Sequence, residues 1–306
     1  MNQKHVIVVY SYLVYPVAGP RYADRADFLN SIQGGHRNIQ FYYGALSDFV
    51  YEYDGRDLHV TDIASGRDLA SFDLVFFAQW GMLPQHAFAA ATYLKQAGVP
   101  ILREETVRQI PTSKLGELPL LVKQGLLVPK TVVAPLGIIK QRAKDKLLPF
   151  GFPFVLKSIT GTQGSENFLI ANLDDLKDKR DKTSASSFAA QEFIPNECDY
   201  RFAIADSEVL YVLRRSRSGD THMNNTSQGG TAEFVDVGTF SEDVVDAAVQ
   251  AADAVGRRDF AGVDIIITAE GKPYVLEVNS SPEIVTGFSA ERKSKLLIQH
   301  MLRKLA

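Results

Sequence analysis

Two short apolar stretches near the end of the chain, Val263-Asp-Ile-Ile-Ile-Thr268 and Tyr274-Val-Leu-Glu-Val-Asn-Ser-Ser-Pro282, are separated by little more than Ala269-Glu-Gly-Lys272. Runs this short with a gap this small read as the two strands of a hairpin. With Glu270 and Gly271 at the centre of a two-residue turn, Asp264 falls directly opposite Glu277. Asn279 shares the face of Glu277, because side chains two apart on a strand point the same way. Two opposed carboxylates repel, and the surrounding Val263, Ile265, Ile266, Ile267, Val275, Leu276 and Val278 offer them no polar partner. The arrangement calls for a positive charge. Oxygen donors from Asp264, Glu277 and Asn279 suit a hard divalent cation, Mg²⁺ or Mn²⁺. The alternative is a hairpin whose acids simply face water, and a three-residue turn would carry Glu277 to the opposite face.

The chain around this hairpin has 306 residues, which suits two or three subdomains rather than one core. A formal net charge of -3 argues against a broadly basic nucleic-acid surface. Cys198 is the one cysteine, so no internal disulfide forms and a cytoplasmic location is expected. No signal-peptide pattern opens the chain, and no apolar run approaches the roughly 18 residues that mark a membrane helix.

In order, the chain predicts a strand at His5-Val-Ile-Val-Val-Tyr10, a helical stripe through Tyr22, Phe28, Leu29 and Ile32, and a strand over 39–43. Asp54-Gly55 signals a hairpin. Phe72-Asp-Leu-Val-Phe-Phe77 reads as a buried strand, 85–97 as a helix stopped by Gly98, and 99–102 as another strand. The alternation gives a small parallel-sheet subdomain over 1–105, either a substrate surface or a purely structural unit. A helix over 114–124 follows, capped by Thr112 or Ser113, ended by Gly125 and kinked or shortened by Pro119. Beyond it come a strand at 130–134 and a helix over 137–148.

Pro153-Phe-Val-Leu-Lys157 then leads through Ser158-Ile-Thr-Gly-Thr-Gln-Gly-Ser-Glu166 into Asn167-Phe-Leu-Ile-Ala171, a strand, glycine loop and strand. The glycines let backbone N–H groups approach a phosphate, with Lys157 beside them; glycines in hairpin loops are usually only turn formers. Residues 174–187 read as an exposed linker before the strand Phe188-Ala-Ala-Gln-Glu-Phe-Ile194. A hairpin from 198–205 to 208–215 brings in Asp199, Arg201, Arg214 and Arg215, with Asp199 able to pair with Arg214. A long polar loop over 216–230, a helix striped by Val244, Val245, Ala248, Ala252 and Val255, and a closing helix over 289–305 complete the chain.

Ser113-Lys-Leu115, Lys123-Gln-Gly125, Val155-Leu-Lys157, Gly161-Thr-Gln-Gly164, Gln191-Glu-Phe-Ile194, Cys198-Asp-Tyr-Arg201, the run from Asn225 ending in Gly229-Gly230, Ala261-Gly-Val-Asp264 and Leu276-Glu-Val-Asn-Ser-Ser-Pro282 occur in one order. In that order they resemble the ATP-grasp superfamily, and within it the RimK-type, glutathione synthetase-like carboxylate-amine ligases. The resemblance implies an α+β fold. A Rossmann-like α/β subdomain at 1–105 would precede a lid subdomain at 106–190 and a C-terminal subdomain at 191–306, the last two gripping ATP. It also implies that Lys114 and Lys157 contact ATP phosphates beneath a flexible loop of Gly161, Thr162, Gln163 and Gly164. Gln191, Glu192, Phe193 and Ile194 would form the hinge against adenine, Asp199 would bind the ribose, and Asn225 would belong to the site. Asp264, Glu277 and Asn279 would hold two Mg²⁺ ions. Arg215 would stabilise charge on the transferred phosphoryl group, with Lys157 beside it.

Two departures stand out: Met223 replaces an arginine the family usually carries, with His222 adjacent, and Glu283 follows Pro282 where glycine is common. The reaction implied joins an amino acid, peptide or protein carboxylate to an amine through an acyl phosphate, with release of ADP and phosphate. No nucleophilic side chain is needed for it. The resemblance leaves open a homo-oligomer, and also an ATP-binding scaffold without ligation.

Overall fold

A strand buried on both faces belongs in the middle of a covered parallel sheet, and β1 (Lys4–Tyr10) is buried at every residue from position 6 to 10. The chain continues with β2 (Ile39–Ala45), a small antiparallel meander of β3 (Phe49–Tyr53), β4 (Leu58–Asp62) and β5 (Arg67–Asp68), then β6 (Leu74–Phe77), α1 (Pro84–Gln96) and β7 (Ile101–Leu102). Four of these strands make a parallel sheet in the order β2-β1-β6-β7. In this computed structural model the described residues are 3–11, 38–53, 55, 57–103, 114–159, 167–177, 179, 188–217, 230–280, 282, 284 and 287–305. The expected stripe from Tyr22 to Ile32, the cap at Thr112 or Ser113, the side chain of Lys114, the loop of Gly161, Thr162, Gln163 and Gly164, and the segment with His222, Met223 and Asn225 lie outside them.

Alternation along β1 feeds two cores. Ile7 and Val9 pack with Leu46, Val60, Phe72 and α1, whereas Val6, Val8 and Tyr10 join Phe76 and, from far along the chain, Tyr211, Leu213, Phe260, Leu297 and Met301. The first sheet is therefore built onto the last.

After α2 (Lys114–Lys123) come β8 (Thr131–Ala134), α3 (Leu136–Lys144), β9 (Phe154–Ser158), β10 (Asn167–Ile170), α4 (Leu173–Lys177) and β11 (Phe188–Glu192). The strands form an antiparallel sheet in the order β10-β9-β11-β8, over a core of its own that includes Ile139, Phe154, Leu156, Ile170 and Phe188. Residues 174–187 are not linker throughout: Leu176, 1% exposed, anchors the short α4 to that core. Pro119 lies inside α2, which still runs to Lys123, and Gly125 at φ +81° takes the left-handed turn after it as expected.

The remaining sheet contains β12 (Cys198–Ala205), β13 (Glu208–Ser216), β14 (Thr231–Val235), β15 (Ala261–Ile267) and β16 (Pro273–Asn279), in the order β14-β13-β12-β15-β16. Helix α5 (Glu242–Ala254) covers one face through Val244, Ala248, Ala251 and Ala252. Helix α6 (Ala290–Leu305) packs on the other, beside the first sheet. Helix α2 also belongs to this part of the molecule, since Leu121 enters the core beneath β15 and β16.

Candidate active site

Asp264 does lie opposite Glu277, but the hairpin reaches that register by another route. Thr268 N–H donates to the Lys272 carbonyl (3.1 Å) and Gly271 N–H to the Thr268 carbonyl (2.9 Å), so the loop has three residues. Gly271 supplies the left-handed conformation, φ +79°, that such loops need in their last position. This loop pairs Ile265 with Val275 and, uninterrupted, would turn Glu277 onto the core face. A bulge next to Asp264 leaves Leu276 as the extra residue and restores the pairing of Asp264 with Glu277.

On the neighbouring strand Arg201 is opposite Asp264, so Arg201, Asp264 and Glu277 form one row across three strands. Arg201 donates from Nε to Asp264 Oδ1 and from Nη2 to Oδ2, both at 2.7 Å. Arg215 Nη2 lies 3.0 Å from Asp264 Oδ2, and its Nε donates to Asp199 Oδ1 at 2.6 Å. The expected pairing of Asp199 with Arg214 is corrected by a second bulge. A regular ladder from Ala205 and Glu208 would give it, but the register shifts between Ala203 and Ile204 and puts Arg215 opposite Asp199. Arg214 instead reaches Glu233 at 3.0 Å. Asp199 is 5% exposed and engaged by Arg215, and this is the environment any ribose role has to accommodate.

Burial raises the pKa of Asp264, but the two guanidinium groups more than offset it and hold the carboxylate below its usual range. Asp199 goes the other way, because burial and the nearby Asp264 outweigh Arg215. Asn279 Nδ2 lies 3.2 Å from Asp264 Oδ2 and 3.1 Å from Glu277 Oε1, so all three proposed ligands converge. Among the described residues no group of three or more His, Cys, Asp or Glu side chains stands ready for a metal. Two carboxylates and an amide nevertheless fit Mg²⁺, which takes one or two carboxylates and completes its shell with water and substrate phosphate. A Cβ at Gly262 would meet Pro282 Cβ at 2.8 Å, so glycine there lets Pro282 pass close to β15.

Lys157, on β9, donates from Nζ to Gln191 Oε1 at 2.7 Å, and Gln191 Nε2 donates to Thr131 Oγ1 at 3.1 Å. Two residues expected at the nucleotide are thus in contact. Glu192 closes β11 and accepts from the Lys130 N–H at 3.2 Å, while Phe193 and Ile194 are half-buried in the link to β12. The part of Arg201 is what sequence reasoning missed. Its signal was an arginine two residues from Asp199, hence on the same face of a largely apolar strand.

The model of the RimK-like ATP-grasp domain matches residues 112–303. The chain is 30% identical over 222 residues to a probable alpha-L-glutamate ligase of Cellvibrio japonicus, with 71% of each chain covered. The same identity and coverage hold for the ribosomal protein bS6–L-glutamate ligase of Salmonella paratyphi B. Among solved structures it is similar in fold to the ATP-grasp ligase PsnB complexed with a phosphomimetic variant of its minimal precursor, Mg and ADP. The TM-score is 0.66 at 18% identity, over 98% of this chain and 100% of that one.

Proposed function

The chain belongs to the RimK-like ATP-grasp family, and from that premise we propose how its residues perform the family's reaction and on what. It is an ATP-dependent carboxylate-amine ligase that uses ATP and Mg²⁺. A carboxylate does not react with an amine at neutral pH because its oxygen is a poor leaving group. Transfer of the terminal phosphoryl group of ATP to that oxygen makes an acyl phosphate, and the amine then displaces phosphate. In this reading Lys157 and Lys114 neutralise the nucleotide's phosphates, and the backbone of Gly161, Thr162, Gln163 and Gly164 closes over them.

Gln191, Glu192, Phe193 and Ile194 receive the adenine, with Asp199 towards the sugar and Asn225 near the phosphates. Arg215, already held between Asp199 and Asp264, stabilises charge on the group in flight. Asp264, Glu277 and Asn279 would hold Mg²⁺, which supplies charge neutralisation at the leaving phosphate when bound. The observation that carries the assignment is the convergence of these three side chains, beside two arginines, on one face of an otherwise apolar hairpin.

For substrates, two relatives named as L-glutamate ligases, one of them of ribosomal protein bS6, and a fold neighbour complexed with a precursor peptide favour an amino acid joined to a peptide or protein carboxylate. The setting proposed is the cytoplasm, in keeping with the one cysteine, Cys198. No helix among the described residues is long and apolar enough to cross a membrane. The test supplies ATP, Mg²⁺ and a panel of peptide acids, with hydroxylamine in place of the amine. Stoichiometric ADP and a peptide hydroxamate are expected. AMP as the nucleotide product, or ADP with no hydroxamate from any peptide, would contradict the reading.

A further inference from the structure

Strand β16 lies at the edge of its sheet, so the outward N–H and C=O groups along it have no further strand to pair with. At Val275 the gap is closed by backbone, since its N–H donates to the Leu127 carbonyl at 2.8 Å. At Val278, the residue between Glu277 and Asn279, it is closed by a buried ion pair. The Val278 carbonyl accepts from Arg257 Nη1 at 2.5 Å. The same Arg257 nitrogen lies 2.8 Å from Glu117 Oε1. Glu117 stands in the first turn of α2, three residues after Lys114, and Arg257 follows the end of α5. Their side chains are 8% and 1% exposed.

Burying an ion pair costs desolvation that an apolar pair of the same volume avoids. Such a pair needs a reason beyond packing. Here the pair holds the backbone of Val278, the residue that separates two metal-site side chains, from the helix that also bears Lys114. We propose that Glu117 and Arg257 are positioning residues that fix Glu277 and Asn279 for the metal through the backbone of Val278, and join the Lys114 helix to them. The proposal rests on the metal reading of Glu277 and Asn279 given above.

The experiment compares wild type with Glu117→Gln and with the double variant Glu117→Leu/Arg257→Met, in which an apolar pair replaces the ions. ADP binding is measured by calorimetry in Mg²⁺ and in EDTA, alongside thermal melts. If Mg²⁺ does not tighten ADP binding to wild type, the metal reading fails and the positioning proposal falls with it. With that dependence present, the double variant should melt near wild type and bind ADP normally in EDTA. Its gain from Mg²⁺ should be about 10-fold smaller. If the double variant does not fold, Glu117→Gln is held to the same criteria. A folded variant that keeps the full Mg²⁺ gain overturns the proposal, as does one that loses ADP binding equally in Mg²⁺ and EDTA, the mark of a general structural role.

Discussion

Asp264 and Glu277 face each other across one strand pair but differ in their surroundings. Asp264 is in direct contact with two guanidinium groups, whereas Glu277 accepts from the Asn279 amide at 3.1 Å and feels the charge of Arg201 from farther off. The two neutralising substitutions should therefore separate. Asp264→Asn leaves Arg201 and Arg215 facing an amide in a mostly buried site, and should cost about 3 kcal/mol of stability as well as turnover. Glu277→Gln should nearly abolish ADP formation while its melting temperature without Mg²⁺ stays close to wild type. A Glu277→Gln protein with full turnover would count against the metal assignment, and an Asp264→Asn protein as stable as wild type would count against the arginine pairing. The carboxylates themselves were legible, because an acid in a strand of Val and Ile is conspicuous. Their arginine partners were not, because pairing Arg201 with Asp264 depends on which strand lies next to β15.

Register is where reading the elements from sequence was weakest, and both hairpins show why. The β15–β16 pair carries a three-residue loop and a compensating bulge, so the expected opposition of Asp264 and Glu277 is reached by two departures that cancel. In the β12–β13 pair a single bulge is uncompensated, and Asp199 meets Arg215 instead of Arg214. Nothing in the local pattern marks either bulge, since Leu276 and Leu210 are apolar residues among others. Helix α6 supplies a pH test at the same scale. Its His300 is 3% exposed, with Nε2 2.9 Å from Asp206 Oδ2 and Arg303 and Lys304 nearby. Burial lowers its pKa, opposed by Asp206 and reinforced by Arg303 and Lys304. The unfolded chain therefore takes up the proton first, and stability should be present above the unfolded value of about 6.5 and fall as pH drops below it. Melting temperatures from about pH 7 down to about pH 5 should decline in wild type and flatten in His300→Gln. Equal slopes would remove His300 from the account.

Across the whole molecule, the parallel and antiparallel sheets were legible from buried runs and alternation, but their joining was not. Phe76 of the first sheet meets Phe260 before β15 edge to face, with ring centroids 5.3 Å apart, inside one core shared by the two ends of the chain. The Glu117–Arg257 pair likewise spans 140 positions, a separation at which local sequence carries no information. Phe260→Ala should cost about 3 to 5 kcal/mol and lower amide protection in β1 and β6 as well as in β13. Unchanged protection in β1 and β6 would contradict a shared core. The central claim is that the substrate carboxylate itself attacks the terminal phosphoryl group. It is tested most directly with a peptide acid that forms a hydroxamate, its carboxylate labelled with ¹⁸O, in single turnovers with ATP and an amine. One labelled oxygen should appear in the released inorganic phosphate, with ADP as the nucleotide product. Label recovered in AMP, or product amide formed with unlabelled phosphate, would contradict it.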